Sequence, residues 1–186
     1  MIIRAAVPGD ASTLVPLILQ AIGSIAFVLT GTTDPEEVAS ILTDFFGREQ
    51  NRISYENALV LEEDGELVGL VMFYDGAGAR ALDVPLERAA ARKSGRSDYR
   101  IPTEPETSEF YLDTLSVSPG HQGKGFGSKL VEAACDRARR LGHHRIALLV
   151  ESDAPGPKRL YERLGFHVDY TKRIAGQEYF HMVRWL

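Results

Sequence analysis

At 186 residues, with 44% hydrophobic and 25% charged side chains, the chain suits one domain (residues 1–186) with a sizeable core. A formal net charge of −5 argues against non-specific nucleic-acid binding. One cysteine excludes an intramolecular disulfide, and five histidines lack metal-ligand spacing, so no metal site is expected.

Residues 2–7 read as an edge strand, followed by Pro8-Gly9-Asp10 and a long helix over residues 11–28, with Asp10 or Ser12 as N-cap. That run is nearly uncharged. Ser12, Thr13, Pro16, Gln20, Gly23 and Ser24 dilute it below the ~20 predominantly apolar residues of a membrane span. No convincing secretory signal precedes it, so a cytoplasmic protein with no membrane partner is expected. The helix is apolar on more than one face, which points to a homodimer contact. Asp34-Pro35 starts a second helix reaching about residue 50, with Asp34 as N-cap and Pro35 in the first position. Strands at 58–61 and 67–74 flank Asp64-Gly65, a tight hairpin signal.

Residues 76–107 interrupt the strand series. Within residues 80–100, six basic side chains (Arg80, Arg88, Arg92, Lys93, Arg96, Arg100) face three acidic ones (Asp83, Glu87, Asp98), so the rest of the chain is more acidic than the whole. That balance suits a cationic amine or simply a solvated acidic surface. A helix at 84–93 is expected, with Val84, Leu86 and Ala90 inward and Arg88, Arg92 and Lys93 outward. Then come a strand at 109–117, a break at Pro119-Gly120, a helix at 123–141 closed by Gly142, a strand at 145–150, a helix at 157–164, and strands near 166–171 and 178–185.

Between the fourth strand and the helix after it lies Gln122-Gly123-Lys124-Gly125-Phe126-Gly127. Alternate glycines let a ligand approach the backbone, and the unpaired N–H groups of the next helical turn suit a phosphate. A Walker loop would need Ser or Thr where Gly125 stands. A dinucleotide fingerprint would need a third glycine where Ser128 stands, although Glu151 could serve as its ribose-binding acid. The pattern Gln-x-x-Gly-x-Gly fits at Gln122, Gly125 and Gly127. Further on, Arg159-Leu160-Tyr161-Glu162-Arg163-Leu164-Gly165-Phe166 is a short helix stopped by glycine, with an aromatic anchor.

These two segments, in this order and separated by an apolar strand, resemble motifs A and B of the GNAT family of N-acetyltransferases, closely over residues 108–170. The resemblance implies an α/β fold of the acyl-CoA N-acyltransferase type: a mixed, mostly antiparallel twisted sheet with helices on both faces and a splay between the fourth and fifth strands. It implies acetyl-CoA as co-substrate and a primary amine of a small molecule or peptide as acceptor, attacked directly in a ternary complex. By motif position, Leu115, Ser116 and Val117 would meet the pantetheine arm. The N–H groups from Gln122, Gly123, Lys124, Gly125, Phe126, Gly127 and Ser128 would surround the pyrophosphate, and Lys158 would reach the adenosine phosphates. Tyr161 would be the general acid and the Leu115 N–H the oxyanion donor.

The base is open. Strand alternation puts Glu109, Tyr111, Asp113, Leu115 and Val117 on one side. Tyr111 stands where some members carry a glutamate base, which leaves Asp113, then Glu109, as the carboxylates. Ala154 stands where many members carry asparagine, with Ser152 as a substitute contact. Two other readings remain: a non-catalytic acetyl-CoA sensor, and a nicotinamide dinucleotide-dependent reductase.

Overall fold

The computed structural model, which describes residues 1–174 and 176–186, lays seven strands in one sheet. They are β1 (Ile2–Ala5), β2 (Ala58–Glu63), β3 (Glu66–Asp75), β4 (Phe110–Val117), β5 (Arg145–Glu151), β6 (His167–Ile174) and β7 (Gln177–Trp185). Their order across the sheet is β1-β2-β3-β4-β5-β7-β6, and only β4 with β5 is parallel. Asp64 and Gly65 turn the β2–β3 hairpin with φ of 51° and 85°, the left-handed backbone such a turn requires.

Helices cover both faces. On one lie α1 (Ala11–Ile22), α2 (Ile25–Thr30), α3 (Pro35–Phe46) and α4 (Ala79–Ser94), burying Leu14, Ile18, Leu42, Phe46 and Leu86 against Val60, Leu70 and Met72. On the other, α5 (Phe126–Arg140) and α6 (Pro155–Arg163) pack Leu130, Val131, Ala134 and Tyr161 against Val71, Phe73, Leu112 and Leu148. Each leucine buried in this way contributes about 1.5–3 kcal/mol. Cys135 lies in this second core, where burial pushes its thiol up to about 11. No helix among the described residues is long and apolar enough to cross a membrane.

Several expectations change. The helix expected over 11–28 is two helices, because Gly23 takes φ 51° and ends α1 with its N–H on the Leu19 carbonyl. Asp34 caps α3 by accepting from the Glu36 and Glu37 amides, but the helix stops at Phe46 before Gly47 rather than near residue 50. The helix of the 76–107 insert is longer than expected, running from Ala79 through Pro85 to Ser94. Leu86 and Ala90 are buried as expected, while Val84 is half-buried; Arg88 and Arg92 are exposed.

The insert is anchored at its base. A Cβ on Gly76 would stand 2.0 Å from the Glu106 carbonyl oxygen, so only glycine permits the two ends of the insert to meet. Gly76→Ala is therefore expected to lower stability by about 1–3 kcal/mol, the usual cost of overpacking, in a urea melt. Unchanged stability would mean that residues 104–109 move aside freely.

Two features of β4 position the site. Its register with β3 jumps from Met72↔Thr114 to Phe73↔Leu112, leaving Asp113 as an extra, bulged residue. The bulge overturns the single-sided alternation: Leu115 and Val117 pack on the α5 core together with Phe110 and Leu112, whereas Tyr111 packs with Tyr74 on the other side. Secondly, β4 and β5 pair only at Phe110↔Ile146 and Tyr111↔Ala147. Beyond those pairs they part, and a cleft opens between them.

Candidate active site

The first cavity, about 540 Å³, lies where β4 runs into α5. Gly123 and Gly125 line it with φ of 77° and 79°, and no atom lies within 4 Å of where a Cβ would stand on either. Gly125 is the N-cap of α5 and brings no side-chain cap. The amides of Phe126, Gly127 and Ser128 therefore precede the first intrahelical bond, Lys129 N–H to the Gly125 carbonyl at 3.2 Å. An open cradle of unpaired donors at a fifteen-residue helix N-terminus fits a diphosphate. Arg163 and His121 also line it, and no acidic side chain does among the described residues. The His121 ring stacks on Phe126 at 6.2 Å and its Nδ1 lies 3.0 Å from the Ser118 hydroxyl.

The second cavity, about 340 Å³, lies on the α1–α2 side between the parted strands. Ile22 and Ile25 come from the helices broken at Gly23, Tyr111, Asp113, Thr114 and Leu115 from β4, and Glu151 from β5. Beneath it is a buried charge cluster. Arg52 donates through Nε to Asp113 Oδ1 at 2.7 Å and through Nη2 to Glu104, while its Nη1 lies 3.8 Å from Asp83 Oδ1. Tyr74 donates its hydroxyl to Asp113 Oδ1 at 2.9 Å, Thr114 to Asp113 Oδ2 at 2.9 Å, and Tyr111 to Glu104 Oε2 at 2.7 Å. Burial pushes Asp83 up to about 7 despite the attraction of Arg52. The loop carrying Arg52 is clamped by Asn51, whose amide donates to the Phe45 and Arg48 carbonyls and accepts from the Ile53 amide.

The two cavities meet. Leu115, Pro157 and Tyr161 line both. Gly165, with φ 83°, ends the helix that presents Tyr161, and the Phe166 ring packs edge-on against Tyr161 at 5.7 Å. Burial holds the Tyr161 hydroxyl well above the ordinary tyrosine range, so it stays protonated.

Of the residues anticipated for the cofactor, Leu115, Val117, Gln122, Gly123, Gly125, Phe126, Gly127 and Ser128 line the first cavity. Ser116, Lys124 and Lys158 do not. Ser116 turns towards α1, where Gln20 reaches its hydroxyl at 3.4 Å. Lys124 is exposed, and Lys158 pairs with Glu162 over the Phe180 ring. Gln122 folds its amide back onto the Val117 carbonyl at 3.0 Å, fixing the turn. Glu109 lies outside both cavities, buried against Arg145 and His181. Sequence reasoning missed Arg52, Glu104, His121 and Arg163. Arg163 stands inside the second motif, two residues beyond Tyr161, and was the one within reach.

Residues 29–166 match the acetyltransferase (GNAT) family, and the chain belongs to that family. A solved acetyltransferase is similar over 100% of this chain and 99% of its own, with 30% identity and a TM-score of 0.81. The PaiA N-acetyltransferase of Thermoplasma acidophilum, solved in complex with coenzyme A, shares the fold at a TM-score of 0.57 and 17% identity, over 100% of this chain and 98% of that one. The L-methionine sulfoximine/L-methionine sulfone acetyltransferase of Salmonella typhimurium is 40% identical over 73 residues, 39% of this chain. That match spans 41% of the relative's length.

Proposed function

We propose that this chain transfers the acetyl group of acetyl-coenzyme A to a primary amine of a small molecule or peptide, in a ternary complex. The observation that carries the reading is the meeting of the two cavities at Leu115, Pro157 and Tyr161, so that a ligand in each would touch there. Acetyl-coenzyme A supplies the acyl group and departs as the thiol. The residues of the chain do the rest. The amides of α5 would hold the diphosphate, and the Leu115 N–H, by its motif position, would be the donor to the oxygen on which negative charge develops. Tyr161 Oη gives its proton to the departing sulfur, and burial ensures that the proton is there to give. Asp113 Oδ2, which among the described residues accepts from Thr114 alone, takes the proton of the amine.

The test is release of free thiol from acetyl-coenzyme A with a panel of primary amines. Amine-dependent release supports the reading; tight coenzyme A binding without release on any amine would leave a sensor instead. Cofactor binding should depend on the cradle. Gly125→Val puts a branched side chain at φ 79° and into the open cradle, and is expected to weaken acetyl-coenzyme A binding by well over about tenfold. Lys124→Ala, at an exposed side chain, should change it little. Calorimetry giving the opposite order would remove the backbone cradle from the argument.

A further inference from the structure

We infer that the acceptor is a cationic amine that bears no carboxylate and carries a short apolar group. The inference rests on the acetyltransferase reading of the site and names the acceptor class within it.

The second cavity carries acidic charge only. Glu104, Asp113 and Glu151 line it, and no lysine, arginine or histidine does among the described residues. The cations nearby are spent elsewhere. Arg52 is buried beneath the cavity with its guanidinium shared among Asp83, Glu104 and Asp113, and it does not reach the lining. Lys172 Nζ donates to the Glu104 backbone carbonyl at 2.8 Å and lies 3.8 Å from Glu106, also outside the lining. One guanidinium against three carboxylates leaves the cluster short of positive charge. An ammonium group entering the cavity supplies what is missing, whereas a carboxylate would face like charges with no cationic side chain in the lining to receive it.

The apolar part of the acceptor follows from a side chamber of about 100 Å³. It shares Ile25, Glu104, Leu149 and Tyr179 with the main cavity and is otherwise walled chiefly by Val28, Ile101, Pro102 and Ile174. A liquid water takes about 30 Å³, so the chamber suits a few carbon atoms rather than a long chain. The insert contributes to both the acidic and the apolar wall through Ile101, Pro102 and Glu104, not through its exposed Arg88 and Arg92.

Matched acceptors separate the two charge classes: 3-methylbutylamine against L-leucine, and 2-phenylethylamine against L-phenylalanine, with L-leucinamide as the amino acid stripped of its carboxylate charge alone. The amine of each pair should exceed its amino acid in kcat/KM by at least about tenfold, and leucinamide should rank above leucine. Glu151→Gln, at an exposed rim position, should narrow the amine advantage roughly threefold without affecting folding. Methylamine, which leaves the side chamber empty, should fall below 3-methylbutylamine. Amino acids matching or exceeding their decarboxylated partners would overturn the inference, as would an unchanged ratio in Glu151→Gln. The same ranking is read by calorimetry on the protein without cofactor, where failure of every amine to bind also overturns it. Coenzyme A is titrated separately, and its failure to bind would sink the acetyltransferase reading instead.

Discussion

Tyr161→Phe is expected to lower kcat by about 10²–10⁴-fold, the usual worth of general acid catalysis, while leaving acetyl-coenzyme A affinity close to wild type. The phenylalanine keeps what the ring does for the fold: the edge-on contact with Phe166 and the packing in the α5 core. What it removes is one hydroxyl at the junction of the two cavities. That hydroxyl acts only as the sulfur departs, so its loss falls on turnover rather than on binding. Burial holds it protonated well beyond neutral pH, so the wild-type rate should show no loss from Tyr161 ionisation between pH 7 and about 9. Rapid-quench turnover on a good amine, with calorimetry for the cofactor, reads both parts. A kcat within a factor of two of wild type would make Tyr161 a packing residue.

The glycine turn that opens α5 was legible because glycine is chemically explicit. Gly123, Gly125 and Gly165 all adopt the positive φ that only glycine takes cheaply, and each stands inside one of the two motifs. The Asp34 cap and the Asp64-Gly65 turn were legible for the same local reason. The β4 bulge was not. An extra residue in one strand is set by its register with β3, and no residue type at Asp113 announces it. Period-2 alternation therefore put Leu115 on the wrong side. The break at Gly23 was hidden because a lone glycine in an apolar run is tolerated inside a helix at a cost of only about 1 kcal/mol. The charge cluster was the least legible. Its members come from an irregular loop, a position just before the helix expected at 84–93, the end of the insert and β4, and Arg52 meets Asp113 across 61 positions of sequence. A basic residue in a loop looks like surface until the fold buries it.

Arg52→Met tests how far that cluster supports the fold. Methionine fills similar space but leaves the side chains of Glu104, Asp113 and Asp83 together without a countercharge, and breaking a buried ion pair from one side costs about 3–5 kcal/mol. The loss should depend on pH. Asp83 already works against the fold: raised from 3.8 to about 7, it takes stability away as pH climbs from about 4 through about 7, because the unfolded chain is ionised there while the buried carboxyl must take up a proton. Removing Arg52 extends that penalty to its neighbours, so the variant's deficit should grow from pH 5 to pH 8. Adding Glu104→Gln and Asp113→Asn to Arg52→Met should recover part of the loss, since neutral amides need no countercharge, although activity should stay low with Asp113 gone. Urea melts at the two pH values measure all three effects. A deficit below about 1 kcal/mol at pH 8 would mean that water reaches the cluster and screens it. The acidic cavity above would then hold its charges no more firmly than an ordinary surface, and Arg52 would serve only to orient Asp113.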